Sequence, residues 1–271
     1  MKKKLSNIIL VIAFFIGLSL LLYPTISDYW NSFHQSRAIA AYTDEVANLD
    51  NTSYEKIWKS AKEYNKKLLD KTNRMVLSEE EEEEYEQELN VGGNGIMAYI
   101  DIPAINCSLP IYHGVDEAVL QIAVGHIAGT SLPVGGKSTH CVVSGHRGLP
   151  SAKLFTNLDQ LTEGDVFLVQ VLDETLTYEV DQILIVEPDD VSALEIEEGK
   201  DYFTLVTCTP YAINSHRLLV RGHRIATEIQ EGEVRINADA RQIDPVLVAP
   251  FLAIPVLLIL LIMLFVMGRR H

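Results

Sequence analysis

The sequence predicts a mainly β domain, a closed barrel or a sandwich, that follows a helical region and is flanked by two transmembrane helices. Short β-rich runs separated by turn residues begin after residue 95, and long uncharged segments lie near both ends of the chain. Helical periodicity without proline fills the stretch from residue 27 to about residue 90. We therefore expect five regions: an N-terminal anchor (1–23), a helical region (24–95), the β domain (96–228), a linker (229–245), and a second membrane helix with a basic tail (246–271).

The two apolar segments set a topology. Residues 5–23 carry no charge, follow three lysines and come close to spanning a hydrocarbon core of ~30 Å. A cleavable signal peptide is the alternative, but no small-x-small cleavage site follows this segment. Residues 246–267 are also uncharged and precede Arg269 and Arg270. Positive residues at both outer ends predict a multi-pass protein of the cell membrane, with cytoplasmic termini and residues 24–245 outside the cytoplasm.

The charge distribution excludes two classes of partner. All 37 Asp and Glu residues lie between positions 24 and 245, whereas five of the 22 Lys and Arg residues lie outside that region. Nucleic acid or an anionic lipid surface would require clustered basic residues on the β domain. We therefore expect no nucleic-acid partner and no electrostatic binding of this domain to lipid.

The helical region is predicted to contain several helices. Apolar residues recur at spacings of three and four, namely at Ile39, Tyr42, Val46 and Leu49 and then at Ile57, Ala61, Tyr64 and Leu68. Thr52 with Glu55 predicts a capping box that begins a second helix, and Ser78 with Glu81 predicts one that begins a third. The glutamate run 79–84 lies where a helix dipole favours negative charge, although a solvated face or a disordered tether would also explain it.

Seven strands are predicted in the β domain. They cover residues 97–102, 109–112, 139–144, 165–172, 175–186, 202–208 and 217–225. Two short helical stretches, 116–124 and 152–161, are expected between them. Strands of this number and spacing are typical of a barrel or a sandwich.

The chain contains three cysteines, Cys107, Cys141 and Cys208. An odd number in a compartment that permits disulfides leaves at least one free thiol or one thiol paired with another molecule. The apolar neighbours of Cys107 and Cys141 indicate small buried side chains. Cys208, at the end of a predicted strand, is the candidate for chemistry.

Two strand ends carry the candidate catalytic residues. The strand 139–144 leads into His146, and the strand 202–208 ends at Cys208. A hairpin through the loop 209–215 would pair Cys208 with Arg217 on the next strand. A thiolate attacks an amide carbonyl, an imidazole carries the proton, and a guanidinium stabilises the oxyanion. These roles predict Cys208 as nucleophile, His146 as acid and base, and Arg217 as the stabiliser of negative charge.

Neighbouring polar residues are expected to bind substrate or support the catalytic groups. Thr207, Tyr211 and Asn214 flank Cys208 in the chain and are assigned to this set. His126 is assigned to it as well, with two alternatives: it lines the cleft, or it packs or caps locally.

Other chemistries fit the sequence poorly. Zinc ligands drawn from His140, Cys141 and His146 lack a fourth member, and adjacent strand residues point to opposite faces, so no metal and no cofactor are expected. Ser144 has no Gly-x-Ser-x-Gly elbow around it. A papain-like protease would place its cysteine before its histidine, and here the histidine comes first.

Several sequence strings resemble a known family. The strings SGHRG (144–148), TLVTCTPY (204–211), RLLVRGHR (217–224), GTSLPVGG (129–136) and LPSAKLF (149–155) are similar to those of the sortases, in particular the pilin-polymerising class C. The resemblance covers roughly residues 95–226 and implies an eight-stranded β-barrel. It also implies cleavage of an LPxTG-like sorting signal between Thr and Gly, a thioacyl enzyme on Cys208, and transfer to a lysine of another pilin subunit.

Class C sortases commonly carry an Asp-Pro-aromatic lid over the active site, and this chain departs from that pattern. The matching stretch, residues 74–79, contains no Asp-Pro, so either another side chain such as Met75 occupies the cleft or the segment is mobile. Two alternatives to pilus assembly remain at this point. One is a wall-anchoring sortase that uses a peptidoglycan precursor amine, and the other is a non-catalytic, membrane-tethered binding module.

Overall fold

The computed structural model describes residues 2–227, including the side chains of residues 9–227. Two compact units are distinguished within this part of the chain, one ending at Tyr29 and the other beginning at Trp30. The predicted linker 229–245 and the predicted second membrane helix 246–267 lie outside the described residues.

The N-terminal helix, α1 (Lys2–Ala47), contains the predicted anchor 5–23. Among the described residues, α1 is the one helix long and apolar enough to cross a membrane. Apolar side chains between residues 9 and 23 are largely exposed, as a lipid-facing helix requires, and Leu20 is an example. These properties agree with the predicted N-terminal anchor.

Two further helices precede the β domain. The predicted N-cap is wrong for the first helix and correct for the second. Helix α2 (Asn51–Leu69) is capped by Asp50, whose carboxylate accepts a hydrogen bond from the Ser53 backbone N–H at 2.9 Å. The predicted cap at Thr52 is therefore wrong, because the extended backbone needed for a cap occurs at Asp50. Helix α3 (Glu79–Gln87) begins with the predicted Ser78–Glu81 capping box, which is confirmed.

Eight strands form a closed barrel in the order β1-β2-β3-β4-β7-β8-β6-β5. The β2–β3 and β4–β7 pairs are parallel, and the other neighbouring pairs are antiparallel. The barrel confirms the fold class implied by the family resemblance and excludes the sandwich. The strands are β1 (Ile96–Ile102), β2 (Cys107–His113), β3 (Val124–His126), β4 (Thr139–Ser144), β5 (Val166–Val171), β6 (Glu174–Val186), β7 (Asp201–Thr209) and β8 (His216–Ile225).

The predictions between the strands are wrong in two places. The stretch 116–124 contains only the short helix α4 (Glu117–Leu120), and Val124 begins β3, a strand that the sequence pattern missed. Gly125 allows this strand to form, because a Cβ there would lie 2.0 Å from the Gly114 carbonyl oxygen. The stretch 152–161 contains only a 3-10 turn at Leu158–Gln160, since Leu154 adopts a positive φ of 36° that interrupts a helix.

Large apolar side chains fill the barrel. Phe167 and Phe203 are fully buried, with ring centroids 5.8 Å apart, and Phe167 stacks on Tyr178. Tyr42 of α1 ties the helical region to the barrel, because its hydroxyl donates to the Met97 carbonyl and accepts from the Leu172 N–H. Such a packed interior fixes the relative positions of the ends of β4, β7 and β8, where the candidate catalytic residues lie.

Candidate active site

The ends of β4 and β7 place His146 and Cys208 on adjacent chain segments. The two strands are parallel and in register up to the pair Ser144–Val206. The Gly145 N–H extends the ladder by donating to the Val206 carbonyl at 3.0 Å. His146 lies two residues after Ser144, and Cys208 lies two residues after Val206. Neighbouring strands lie about 4.8 Å apart, so this register places the imidazole and the thiol on adjacent segments.

Arg217 lies on the other side of Cys208. The two residues are direct partners in the antiparallel β7–β8 pair, as the hairpin prediction required, and the predicted pairing is confirmed. The Arg217 Nη1 donates to the carbonyls of Asn214 at 3.4 Å and His216 at 3.1 Å. The guanidinium is thus oriented by backbone oxygens at the rim of the barrel.

Exposure separates the three candidate residues from their neighbours. Cys208, His146 and Arg217 are half-buried, whereas Val206 and Thr207, which precede the cysteine on β7, are buried. The His146 side chain is 29% exposed, and its Nε2 lies 3.8 Å from the Glu117 carboxylate of α4. All three residues are therefore partly accessible to solvent. A nucleophile, a proton carrier and a fixed cation are the groups that acyl transfer requires.

The other two cysteines lie in different surroundings. Burial raises the pKa of Cys107 to about 12 and raises the pKa of Cys141 well above its ordinary value. A thiol that stays protonated is a weak nucleophile. None of the three cysteines forms a disulfide. Cys141 is buried, as predicted, whereas Cys107 is only half-buried, so the prediction of a buried side chain is confirmed for Cys141 alone.

Thr207, Tyr211 and Asn214 lie close to Cys208 in the chain, and they differ in what they contribute. Thr207 is buried, and its Oγ1 donates to the Gly145 carbonyl at 2.7 Å, which joins β7 to the segment carrying His146. Tyr211 is 56% exposed in the β7–β8 loop. Asn214 adopts a positive φ of 59°, and it supports Arg217 through its backbone carbonyl.

His126 lies inside the protein. Its Nδ1 contacts the Tyr85 hydroxyl at 2.9 Å, and its Nε2 contacts the Ser131 carbonyl at 2.9 Å and the Thr130 hydroxyl at 3.1 Å. Burial lowers its pKa to about 4. With both ring nitrogens bonded and no exposed surface, this placement favours local packing over a position in the cleft.

The segment that matches the class C lid packs against the barrel. Arg74 is buried, its Nη2 donates to the Leu194 carbonyl at 2.9 Å, and it pairs with Glu195 at 3.2 Å. Met75 packs against a small apolar cluster that includes Val206, two residues before Cys208 on β7. Met75, named above as an occupant of the cleft, therefore packs against a cluster to which β7 contributes Val206.

Two residues near the site were not found by sequence reasoning. Glu117 approaches His146 from α4, and no pattern in the sequence indicates this contact. Arg147, directly after His146, contacts Thr209 and Asp159. Its position directly after His146, inside the string SGHRG, was the signal that could have drawn attention to it.

Comparison with known proteins agrees with this architecture. Residues 100–225 match the sortase domain family. Sortase D of Bacillus subtilis is 30% identical over 129 residues, which cover 46% of this chain and 62% of that protein. Sortase A of Staphylococcus aureus is 25% identical over 194 residues, covering 71% of this chain and 91% of the relative. The chain thus spans less than two thirds of the Bacillus subtilis relative.

Solved structures extend the likeness. Sortase C1 of Streptococcus agalactiae is 52% identical with a TM-score of 0.68, and the match covers 71% of this chain and all of that one. Sortase C of Clostridium perfringens, solved with the C-terminal cell wall sorting motif, is 42% identical with a TM-score of 0.63, covering 70% and 99%. Fold and family match together define the class of a β-barrel cysteine transpeptidase. The chain belongs to the sortase family, and its structural neighbours include class C sortases.

Proposed function

We propose that this sortase cleaves an LPxTG-like sorting signal between Thr and Gly and transfers the acyl group from Cys208 to a lysine amine of a pilin subunit. The observation that carries the proposal is the position of Cys208, with His146 on the adjacent segment and Arg217 directly opposite on β8. Repetition of this transfer joins subunits into a covalent pilus.

In the first half-reaction the Cys208 thiolate attacks the threonine carbonyl carbon of the sorting signal. The negative charge that develops on the carbonyl oxygen is stabilised by the Arg217 guanidinium, which keeps its charge at any accessible pH. Protonated His146 gives its proton to the glycine nitrogen as the C–N bond breaks. The products are a thioester on Cys208 and a released peptide with a free amine.

The second half-reaction reverses these roles. A lysine amine attacks the thioester carbonyl, His146 accepts the proton that the amine loses, and the C–S bond breaks to restore the Cys208 thiolate. A new amide bond joins the threonine carbonyl to the lysine side chain. The partly exposed thiol and imidazole support access for both peptides.

We also propose that the enzyme works on the outer side of the cell membrane. The apolar helix α1 supports an N-terminal anchor. The uncharged segment 246–267, with the basic residues after it, is proposed as a second span, and the positive-inside rule then gives two cytoplasmic termini. The sequence regions 24–95 and 96–228 are assigned to the helical region and the catalytic barrel, with 229–245 as the linker.

The class C assignment is supported by the 52% identity to sortase C1 of Streptococcus agalactiae. Another neighbour, sortase C of Streptococcus pneumoniae, was described for its pilin substrate specificity. A wall-anchoring enzyme that uses a peptidoglycan amine is the alternative transpeptidase. A non-catalytic binding module is disfavoured because the thiol is accessible and all three candidate catalytic side chains are present.

The test of the first half-reaction is to trap the acyl enzyme. The full-length chain in detergent micelles, mixed with an LPxTG peptide, is expected to gain the mass of the acyl fragment on Cys208 alone. Cys208→Ala should abolish both the adduct and cleavage, whereas the matched control Cys107→Ala should retain them. Cleavage that persists in Cys208→Ala would refute the proposed chemistry.

The acceptor is tested separately. The same preparation receives either a lysine-containing pilin peptide or a peptidoglycan cross-bridge amine. Faster transfer to the lysine peptide is expected for pilus assembly. Faster transfer to the cross-bridge amine would instead establish the wall-anchoring alternative.

A further inference from the structure

The residue after His146 is a buried cation. The Arg147 side chain is 8% exposed, although it lies on a loop at the rim of the barrel. Taking a guanidinium out of water costs several kcal/mol unless charged and polar partners compensate for the lost hydration. The contacts of Arg147 therefore show which chain segments this buried side chain connects.

Three contacts connect Arg147 to parts of the chain beyond its own segment. Its Nη1 donates to the Thr209 Oγ1 at 3.3 Å, and Thr209 directly follows Cys208. Its Nη2 forms a short ion pair with the Asp159 carboxylate. Its guanidinium lies over the Tyr211 ring, 5.8 Å from the centroid. One side chain thus bridges the histidine loop and the loop that follows the cysteine.

The backbone of the histidine loop turns away from β7 just where this bridge forms. The last ladder bond between the two segments joins the Gly145 N–H to Val206, before His146. After it, the His146 carbonyl accepts from the Phe155 N–H at 3.1 Å, and the Gly148 N–H donates to the Thr156 hydroxyl at 3.0 Å. These later bonds close the loop on itself.

The packing at Gly148 brings the same two loops together. This glycine has a positive φ of 76°, and a Cβ there would lie 2.8 Å from the Tyr211 ring. The Tyr211 ring therefore packs closely against the histidine loop at Gly148. Arg147 and Gly148 together clamp the loop to the segment that follows Cys208.

We propose that Arg147, held by Asp159, is a positioning residue that keeps the His146 imidazole beside the Cys208 thiol. This inference rests on the proposed function, in which His146 exchanges protons during attack and release. Arg147 acts through Thr209 and the loop, because its side chain contacts Thr209, Asp159 and Tyr211. A planar fork with several donors can serve the hydroxyl and the carboxylate together, which a lysine ammonium cannot do in the same geometry.

The experiment compares Arg147→Met, Arg147→Lys and Thr209→Val in the full-length chain in detergent micelles. Arg221→Met is the matched control, because Arg221 is also mostly buried and forms a bidentate pair with Asp181 at 3.0 and 3.1 Å. For cleavage of an LPxTG peptide, Arg147→Met should lower kcat by at least ~10-fold with KM within about twofold, since small displacements of a catalytic group are costly. Arg147→Lys should recover part of this loss, and Thr209→Val should lower kcat by a few-fold.

The control separates positioning from stability. Arg221→Met should lower the melting temperature and leave kcat within about twofold of the wild type. Equal kcat values for Arg147→Met and Arg221→Met, or a loss confined to KM, would overturn the proposal. If Arg147→Met fails to fold, the kcat values of Arg147→Lys and Thr209→Val are compared with that of Arg221→Met. Equal kcat values, or a loss confined to KM, would again overturn the proposal.

Failure of the proposed function can be recognised independently. Absence of an acyl adduct in the wild-type enzyme would count against the transpeptidase assignment itself. The rate of Cys208 alkylation by iodoacetamide, read by mass spectrometry of the modified peptide, still tests the positioning. It should fall in Arg147→Met and stay constant in Arg221→Met, because a displaced imidazole can no longer accept the proton that the thiol loses on reaction. An unchanged alkylation rate in Arg147→Met would refute the positioning role.

Discussion

His126 and His146 occupy similar places in the fold and have opposite environments. Each follows a glycine at the end of one of two paired strands, β3 and β4, and His126 is the register partner of Val143. Both ring nitrogens of His126 are bonded to protein groups, and the residue is fully buried. His146 is fixed through its backbone carbonyl, while its ring remains partly exposed.

The difference supports the proposal that His126 is a structural histidine and His146 a reactive one. A ring that satisfies its own hydrogen bonds inside the protein has no free nitrogen for a substrate. A ring whose backbone is anchored, but which remains partly exposed, can exchange a proton without disturbing the fold. The cysteines follow the same rule, since the thiols of Cys107 and Cys141 have raised pKa values and Cys208 stands at the rim.

Replacing each histidine with glutamine is the strongest test of whether His146 is catalytic and His126 is structural. His146→Gln should lower kcat by roughly 10²–10⁴-fold, because the proton carrier is lost, and should leave the melting temperature unchanged. His126→Gln should lower the free energy of unfolding by roughly 1–3 kcal/mol, because buried hydrogen bonds are lost, while the folded fraction keeps its kcat. Steady-state kinetics and urea unfolding measure the two effects. A large loss of kcat in a fully stable His126→Gln would show that the assignment of a purely structural role to His126 is wrong.

The pH dependence of stability also tests the buried environment of His126. Burial lowers the pKa of His126 to about 4, below the ~6.5 expected in the unfolded chain, so the unfolded state binds the proton more tightly. The stability that neutral His126 contributes is complete above pH ~6.5 and is lost as the pH falls towards 4, by roughly 3 kcal/mol in total. Burial also lowers the pKa values of His113 and His140, which adds to the loss in the same direction.

Urea unfolding at pH 7.5 and pH 4.5 checks this expectation. The free energy of unfolding should fall more between the two pH values in the wild type than in His126→Gln, since the variant lacks the titrating group. Burial raises the pKa values of Glu88 and Asp201, but these carboxyl groups are common to both proteins and cancel in the comparison. Identical pH dependence in the two proteins would contradict the assigned environment of His126.

The sequence predicted seven of the eight strands and the Cys208–Arg217 pairing because both depend on local signals. Period-2 runs and the hairpin loop 209–215 determine which residues of β7 and β8 face each other. The parallel β4–β7 pair was not predicted, since its partners are far apart in the chain and no turn fixes their register. The strand β3 was missed because three residues are too few to show a period.

The same limit applies to the candidate site. Cys208, His146 and Arg217 were predicted from residue type and family resemblance, while the contacts of Arg147 and Glu117 depend on which loops meet in three dimensions. The sequence also left the role of His126 open, because Gly125-His126 and Gly145-His146 look alike as strings. Only the tertiary structure shows that Tyr85 of α3 reaches the first histidine.

The smallest expected effect tests the backbone anchoring of His146. Thr207→Val keeps the side-chain shape and removes the Oγ1 hydrogen bond to the Gly145 carbonyl. The free energy of unfolding should fall by about 1 kcal/mol. Because Gly145 precedes His146, kcat should also fall, by roughly three- to tenfold.

Thr204→Val is the matched control for this prediction. Thr204 is buried on the same strand, and its Oγ1 contacts the His140 Nε2 at 2.7 Å, which is farther along β7 from Cys208. The control should lose a similar amount of stability and keep its kcat. Equal kcat values in the two variants would show that the backbone bond at Gly145 does not position the imidazole. A selective loss in Thr207→Val would support the view that a reactive histidine is held in place through the main chain beside it.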